Sequence, residues 1–257
     1  MGRGMLTLVV WWTTILLESV ILVRCMRNRV VRDYPFFTAY LACVLVSSAS
    51  GFVVHQLRYS LYQYWYWTWE FVCVIAGYGL LLEILERALA TSPGPRRFAR
   101  NAGLLVLASI VGLTTLQWAL GRGPSSFLTS LEVERNLRSA ESILLALIVG
   151  VVFYYGVPIG KNLKGIALGY GLCVATVVMG YATRSYLGPS FHAMFSAISS
   201  YSYTASLLIW TLALWSRHPN PRLEPSAQLE ADYDSLARWT RTVLGRMRGR
   251  LRKAAGS

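Results

Sequence analysis

Charged residues are scarce in this chain, and acidic residues are the scarcest of them. Charged residues make up 14% of the 257 positions, and Asp and Glu together number 12. Soluble domains average about 25% charged residues, so this composition disfavours a soluble protein. Long apolar runs recur along most of the chain instead, and about 20 such residues cross the hydrocarbon of a bilayer as a helix. The sequence therefore predicts an all-α integral membrane protein.

Histidine and cysteine are also rare, which restricts the chemistry available to the chain. It has three histidines and four cysteines. The cysteines show no paired or CxxC spacing, so we interpret them as small apolar packing residues rather than metal ligands or a disulfide framework. Nucleotide-binding, nucleophile-elbow and metalloprotease motifs are absent from the sequence. We expect no cofactor and assign no catalytic residue, so an enzymatic activity is disfavoured.

The apolar runs predict a bundle of seven transmembrane helices. No segment between them is long enough to form a separate globular domain. Residues 1–216 are predicted to form the membrane domain, and residues 217–257 a tail. The predicted helices cover residues 5–23, 35–54, 67–86, 102–120, 140–159, 165–183 and 193–215.

The distribution of lysine and arginine predicts the orientation of the bundle. The formal net charge is +13, and most of the 25 basic residues lie in the tail and in the loops after the first, third and fifth predicted helices. Such basic loops stay on the cytoplasmic side. We therefore predict an outside N-terminus, a cytoplasmic C-terminus and a multi-pass location in the cell inner membrane. Arg138 falls on the outer side, four residues after Glu134. The positive net charge is thus explained by the membrane orientation, and we predict no binding to nucleic acid.

The tail combines a proline-rich linker with a predicted amphipathic helix. The linker covers residues 218–225, and the helix begins near Ser226 and ends near Lys253. Its apolar residues fall three or four apart, its acidic residues come first and its basic residues last, an order that complements the helix dipole. A basic amphipathic helix beside a membrane binds the anionic lipids of the inner leaflet. A cytoplasmic protein partner is the alternative.

Six aromatic side chains crowd the segment Tyr62–Glu70, at the predicted outer end of the third helix. Trp and Tyr favour membrane interfaces, so an aromatic belt is one interpretation. The other is the wall of a ligand pocket that opens to the outside. The hydroxyl-rich outer half of the seventh helix should face the bundle interior, where it either lines the same pocket or only forms interhelical hydrogen bonds. The predicted ligand-binding residues are Trp65, Trp69, Glu70, Ser199 and Tyr203.

An alternative interpretation places a metal ion at the outer end of the bundle. His55 ends the second predicted helix, His192 begins the seventh, and Glu70 lies one turn into the third. The topology puts these side chains at a similar depth, and two imidazoles with one carboxylate match a known zinc ligand set. Their lateral separation is not determined by the sequence, and lone interfacial histidines usually only hydrogen-bond. We predict no metal and keep a membrane-embedded metal-dependent enzyme as an alternative.

Two intramembrane acids are further candidates for function. Glu18 and Glu83 lie in the cytoplasmic halves of the first and third predicted helices. An ionisable group costs about 2.5–3.5 kcal/mol at a helix centre on insertion scales. The favoured interpretation is a polar clamp between the two helices, with Glu83 also paired to Arg87 at i,i+4. The alternative is a proton or cation site of a small transporter.

Two pairs of glycines predict close helix packing in the second half of the chain. Gly156 and Gly160 form one small-xxx-small pair, and Gly165 and Gly169 form another. Small residues let helix backbones approach closely where lipid offers no hydrophobic driving force.

The layout of residues 1–215 and the aromatic segment Tyr64–Glu70 resemble small, uncharacterised seven-helix membrane proteins of bacteria. They are also similar to the seven-helix sensor modules of bacterial histidine kinases, although this chain has no kinase attached. The resemblance implies a sensing or partner-binding role and carries over no functional residue. We therefore predict a sensor, ligand-binding or scaffold bundle, with a small-solute or proton-coupled transporter and a metal-dependent enzyme as alternatives.

Overall fold

The computed structural model describes residues 2–57, 59–90, 93–117, 127–157, 159–187, 191–216, 231–235, 237–240 and 242. This part of the chain is helical and contains no β-strand. Its helices are α1 Gly2–Arg27, α2 Val30–Asp33, α3 Pro35–Leu57, α4 Tyr59–Ala88, α5 Pro93–Gln117, α6 Phe127–Tyr154, α7 Lys161–Leu187 and α8 Phe191–Ala213.

Seven of these helices are long, and each contains most of one predicted helix. The remaining helix, α2, is a single turn that follows a left-handed residue, Arg29, with φ of 56°. Val30 in this turn is buried in the main core. Pro35 then begins α3, because its fixed φ suits the first helical position and its missing N–H would have no partner there.

Five of the long helices have segments long and apolar enough to cross a membrane, which indicates a helical membrane protein. The other two long helices, α5 and α8, are not among these five: the first turns of α5 contain Arg96, Arg97 and Arg100, and α8 carries many Ser, Thr and Tyr residues. The five apolar segments are Val9–Arg27, Pro35–Val54, Thr68–Ala88, Leu137–Tyr154 and Lys161–Gly180.

The consecutive helices α3 and α4 pack in opposite directions. Phe37, near the start of α3, donates its backbone N–H to Glu83, near the end of α4, at 2.9 Å. Gly51, in the second half of α3, faces the indole ring of Trp65, in the first half of α4. The short connection between the two helices accounts for this antiparallel arrangement.

Glycine allows α7 and α8 to approach closely. Gly165 faces Ala213, and Gly169 faces the indole of Trp210. Trp210 is buried and donates from Nε1 to the backbone carbonyl of Ile166 at 3.2 Å. The prediction that Gly165 and Gly169 form a packing pair is therefore confirmed.

The prediction that Gly156 packs as a pair with Gly160 is wrong. The helix α6 ends at Tyr154, and Gly156 has a φ of +57°, which lies in the left-handed region. The backbone N–H of Val157 bonds to the carbonyl of Val152 at 3.0 Å, the bond that closes a Schellman cap. Gly156 thus ends the helix, and the space where its side chain would lie is open.

The described part of the tail lies against the ends of α5 and α6. The Tyr155 hydroxyl donates to the Asp232 carboxylate at 3.1 Å, and the Tyr233 ring occupies the space where a side chain on Gly94 would lie. Desolvation and the hydrogen bond to Asp232 raise the pKa of Tyr155. Most of the predicted helix at 226–253 lies outside the described residues, and its binding to anionic lipids stays a prediction.

Replacing Gly169 by alanine should destabilise the α7–α8 pair. The added Cβ would overlap the buried Trp210 ring, and overpacking of this kind costs about 1–3 kcal/mol. The control is Gly150→Ala in α6, where nothing lies within 4 Å of the new Cβ and alanine is the better helix former. Thermal unfolding of the purified protein in detergent should show a lower Tm for Gly169→Ala alone. Equal Tm values for the two variants would contradict this packing.

Candidate functional site

Arg138 of α6 bonds to two carboxylates on different helices. One terminal nitrogen donates to Glu70 of α4, and the other donates to Glu141, one turn further along α6, at 3.1 Å. The side chains of Arg138, Glu70 and Glu141 are 11%, 20% and 0% exposed. An unpaired charge is costly in a medium of low dielectric, so these bonds hold α4 against α6. We call Glu70, Arg138 and Glu141 the triad.

Tyr170 of α7 connects the triad to a third helix. Its buried hydroxyl donates to Glu141 at 3.1 Å. Gly77 of α4 lies opposite this bond, and a Cβ there would overlap the Tyr170 hydroxyl and lie 2.8 Å from Glu141 Oε1. The Tyr78 hydroxyl donates to the Leu137 carbonyl at 3.1 Å, a second link between α4 and α6. Glycine at position 77 therefore permits the close contact of the three helices.

A chain of buried rings continues from Tyr170 across the core. Tyr40 of α3 packs edge-on against Tyr170, with ring centroids 5.4 Å apart. Tyr40 and Trp210 have their ring centroids 6.3 Å apart, and Trp210 packs edge-on against Phe37 at 5.3 Å. Edge-to-face pairs of this kind add stability beyond that of area burial. The rings therefore connect the triad to the start of α3.

Glu83 of α4 satisfies the first turn of α3. Its Oε2 accepts the backbone N–H of Phe37 at 2.9 Å, and Arg87 approaches its Oε1 at 3.9 Å, as predicted for an i,i+4 pair. The first N–H groups of a helix lack intrahelical partners and favour an anion. Tyr34 precedes α3, and tyrosine is not one of the short polar residues that cap helices. The Glu83 carboxylate, from another helix, takes the place of an N-cap.

Glu18 of α1 lies in a separate polar cluster with α3 and α8. It is 0% exposed. Its Oε1 accepts the hydroxyl of Tyr203 at 2.5 Å and the hydroxyl of Ser48 at 3.3 Å. Glu18 and Glu83 thus bond to different groups rather than to each other, and the described contacts do not form the predicted clamp between them.

The residues predicted to bind a ligand do not share one set of contacts. Trp65 faces Gly51 of α3 and lies beside Trp69, with ring centroids 6.4 Å apart. The Tyr203 hydroxyl donates to the Glu18 carboxylate of α1. Ser199 is half-buried on α8. Glu70, the carboxylate of the predicted set, belongs to the triad. A pocket lined by all five side chains stays a prediction.

Of the three alternative metal ligands, the structure describes the side chain of Glu70 only. The structure does not describe the side chains of His55 and His192, and Glu70 bonds to Arg138. Among the described side chains, no group of three or more His, Cys, Asp or Glu could hold a metal ion.

Our sequence reasoning missed Arg138 and Glu141 as interior residues. It counted Arg138 among the outer basic residues, beside Glu134, whose side chain the structure does not describe. A signal was nevertheless present, because Arg138 and Glu141 lie one turn apart where the chain enters an apolar run. Ionisable residues within membrane helices usually face the bundle interior and pair with one another.

Comparison of the chain with protein-family models, with curated proteins and with solved structures finds no match. The candidate site is therefore defined by its own geometry.

Replacing Glu83 by alanine should destabilise the protein by about 1–2 kcal/mol, because the first turn of α3 loses its anionic cap. The control is Glu86→Ala, which removes a more exposed carboxylate that pairs with Arg96 at 3.2 Å and Arg100 at 3.7 Å. Exposed ion pairs contribute about 0–1 kcal/mol. Denaturant unfolding in detergent should rank Glu83→Ala as the less stable variant. The reverse order would contradict the capping role.

Proposed function

We propose that the protein is a seven-span sensor of the bacterial inner membrane that binds a small organic cation at its outer end. In this proposal α5 and α8 complete the set of spans, the N-terminus is outside, and the basic tail is cytoplasmic. One observation carries the proposal. Glu70 is the most exposed member of an otherwise buried charge network that joins α4, α6 and α7.

The formal charges of the triad favour one further cation. It contains two carboxylates and one guanidinium, and Arg138 bonds to both carboxylates at once. A cation bound at Glu70 would compete with Arg138, which would then bond to Glu141 alone. Bound and free states would therefore differ in the contact between α4 and α6. Such a difference is what a ligand needs in order to shift a conformational equilibrium.

The aromatic residues beside Glu70 favour an organic cation. Tyr66 precedes Glu70 by four residues on α4, so the two share a helix face. Tyr66 is 41% exposed, and its ring lies 6.4 Å from that of Tyr62. Aromatic faces attract ammonium groups, and a carboxylate supplies the opposite charge. An alkylammonium group fits this combination better than a strongly hydrated metal ion.

The packed rings offer a physical route from the triad to the opposite end of the bundle. They run from Tyr170 through Tyr40 and Trp210 to Phe37, whose N–H bonds to Glu83. A displacement of α4 would act on both ends of this route, because Gly77 contacts one end and Glu83 the other. Contiguous packing of this kind can carry energetic coupling. In the proposal, the tail passes the change on to anionic lipids or to a cytoplasmic protein.

Neutralising Glu70 should weaken the binding of tetramethylammonium, the probe that we choose for an organic cation. We expect the Kd for Glu70→Gln to rise at least about tenfold, equivalent to about 1.4 kcal/mol. Tyr66→Leu should weaken binding as well, because the ring face is lost. Isothermal titration of the purified protein in nanodiscs at constant ionic strength measures both effects.

The controls are Glu86→Gln, at the other end of α4, and Tyr201→Leu, an exposed tyrosine of α8. Both should bind the probe as the wild type does. The uncharged analogue tert-butanol, of similar shape, should not bind. The absence of saturable tetramethylammonium binding to the wild type, or equal binding by Glu70→Gln, would contradict the proposal.

A further inference from the structure

A second polar cluster joins three helices that the triad does not use. Glu18 of α1, Ser48 of α3 and Tyr203 of α8 meet at one point, with both hydroxyls donating to the same carboxylate oxygen, Oε1. Glu18 is fully buried, and Thr14, one turn earlier on α1, is buried too. The cluster thus lies inside the bundle.

The second carboxylate oxygen of Glu18, Oε2, is buried and has no hydrogen-bond partner among the described residues. Nor does any described lysine, arginine or histidine form an ion pair with Glu18; its polar contacts are the hydroxyls of Tyr203 and Ser48. A buried polar atom without a partner calls for an explanation, and a bound ion, a water or a proton on the carboxylate would each supply one. An uncompensated carboxylate in such a place would be costly.

We propose that Glu18, Ser48 and Tyr203 form a binding site for a small monovalent metal cation of the Na⁺ class. Glu18 Oε2 supplies the charge. The two hydroxyl groups donate hydrogen bonds to Oε1, and each oxygen keeps lone pairs that can coordinate a cation. The site is independent of Glu70 and of the organic cation proposed there.

Charge and ligand type select the class of cation. A single carboxylate neutralises one positive charge, whereas a divalent ion would leave a net charge buried in a low dielectric. The oxygen ligands suit hard ions such as Na⁺ rather than transition metals, which favour His or Cys. No group of three or more His, Cys, Asp or Glu side chains that could hold a metal is found in the described part of the chain. The site would therefore join α1, α3 and α8 through a bound ion.

The test is the thermal stability of the purified full chain in LiCl, NaCl, KCl or CsCl at one ionic strength of about 0.15 M. A buried site should distinguish the ions by size. We expect the best-fitting cation to raise the Tm by about 2 °C or more over the worst, saturably with concentration. Glu18→Gln should abolish the difference, because the amide keeps the shape but not the charge.

Two conservative variants have matched controls in the same helices. Ser48→Ala and Tyr203→Phe should each raise the cation concentration at half-effect several-fold. Ser50→Ala should not, because Ser50 is bonded to the Val46 carbonyl of its own helix. Tyr201→Phe should not either, because Tyr201 is 68% exposed. Glu70→Gln should keep the alkali-cation response, which separates this proposal from the proposed organic-cation site.

Each outcome of the salt series either supports or overturns the proposed cation site. Ion-selective stabilisation that is lost in Glu18→Gln supports the site. Equal stabilisation by all four salts, or selectivity that survives in Glu18→Gln, overturns it. A response to pH without any response to the alkali cations assigns Oε2 to a proton and also overturns it. If Glu18→Gln does not fold, Ser48→Ala and Tyr203→Phe decide: a weakened cation response supports the site, and an unchanged one contradicts it.

Discussion

The buried guanidinium of Arg138 is the constraint on which the arrangement of the central helices depends. A charge inside a membrane bundle requires an opposite charge nearby. Arg138 bonds to two carboxylates, Glu70 on α4 and Glu141 on its own helix. The second carboxylate is held in turn by Tyr170 of α7. Residue 77 must then be glycine-sized, because any larger side chain would occupy the space of this hydrogen bond. Three helices are positioned by one cation and its partners.

The rest of the bundle is attached to that centre by different kinds of contact. Aromatic edges lead from Tyr170 to Trp210, whose indole fits against Gly169 and bonds to the backbone of α7. At the far end of α4, the Glu83 carboxylate caps α3. On the other side, Glu18 joins α1 to α3 and α8 through hydroxyl groups. Lipid gives no hydrophobic drive for helix association, so polar bonds and close backbone packing carry more of the specificity here than in a soluble core.

The sequence predicted the long helices well because apolar length is a strong local signal, and it predicted the Gly165–Gly169 contact because small residues four apart lie on one helix face. It failed at Gly156, where a left-handed φ ended α6 before the predicted boundary. It identified Glu18, Glu83 and Glu70 as unusual and predicted the pair of Glu83 with Arg87, but it could not find their partners on other helices. Ser48, Phe37 and Arg138 are distant in sequence, and lateral position within a bundle leaves no trace in hydropathy. Arg138 was not recognised as a buried partner of Glu70 because basic residues were counted by loop rather than by depth.

Exchange of the charges at positions 70 and 138 tests the central constraint most directly. Arg138→Glu alone should bring three acids together, and Glu70→Arg alone should bring two arginines together, so each should lower the Tm and the yield of monodisperse protein. The double variant contains the same charges in reversed places. The account predicts that it recovers most of the lost Tm, with a coupling free energy of at least about 1 kcal/mol. A double variant whose loss of stability equals the sum of the two single losses would contradict a direct bond between Arg138 and Glu70.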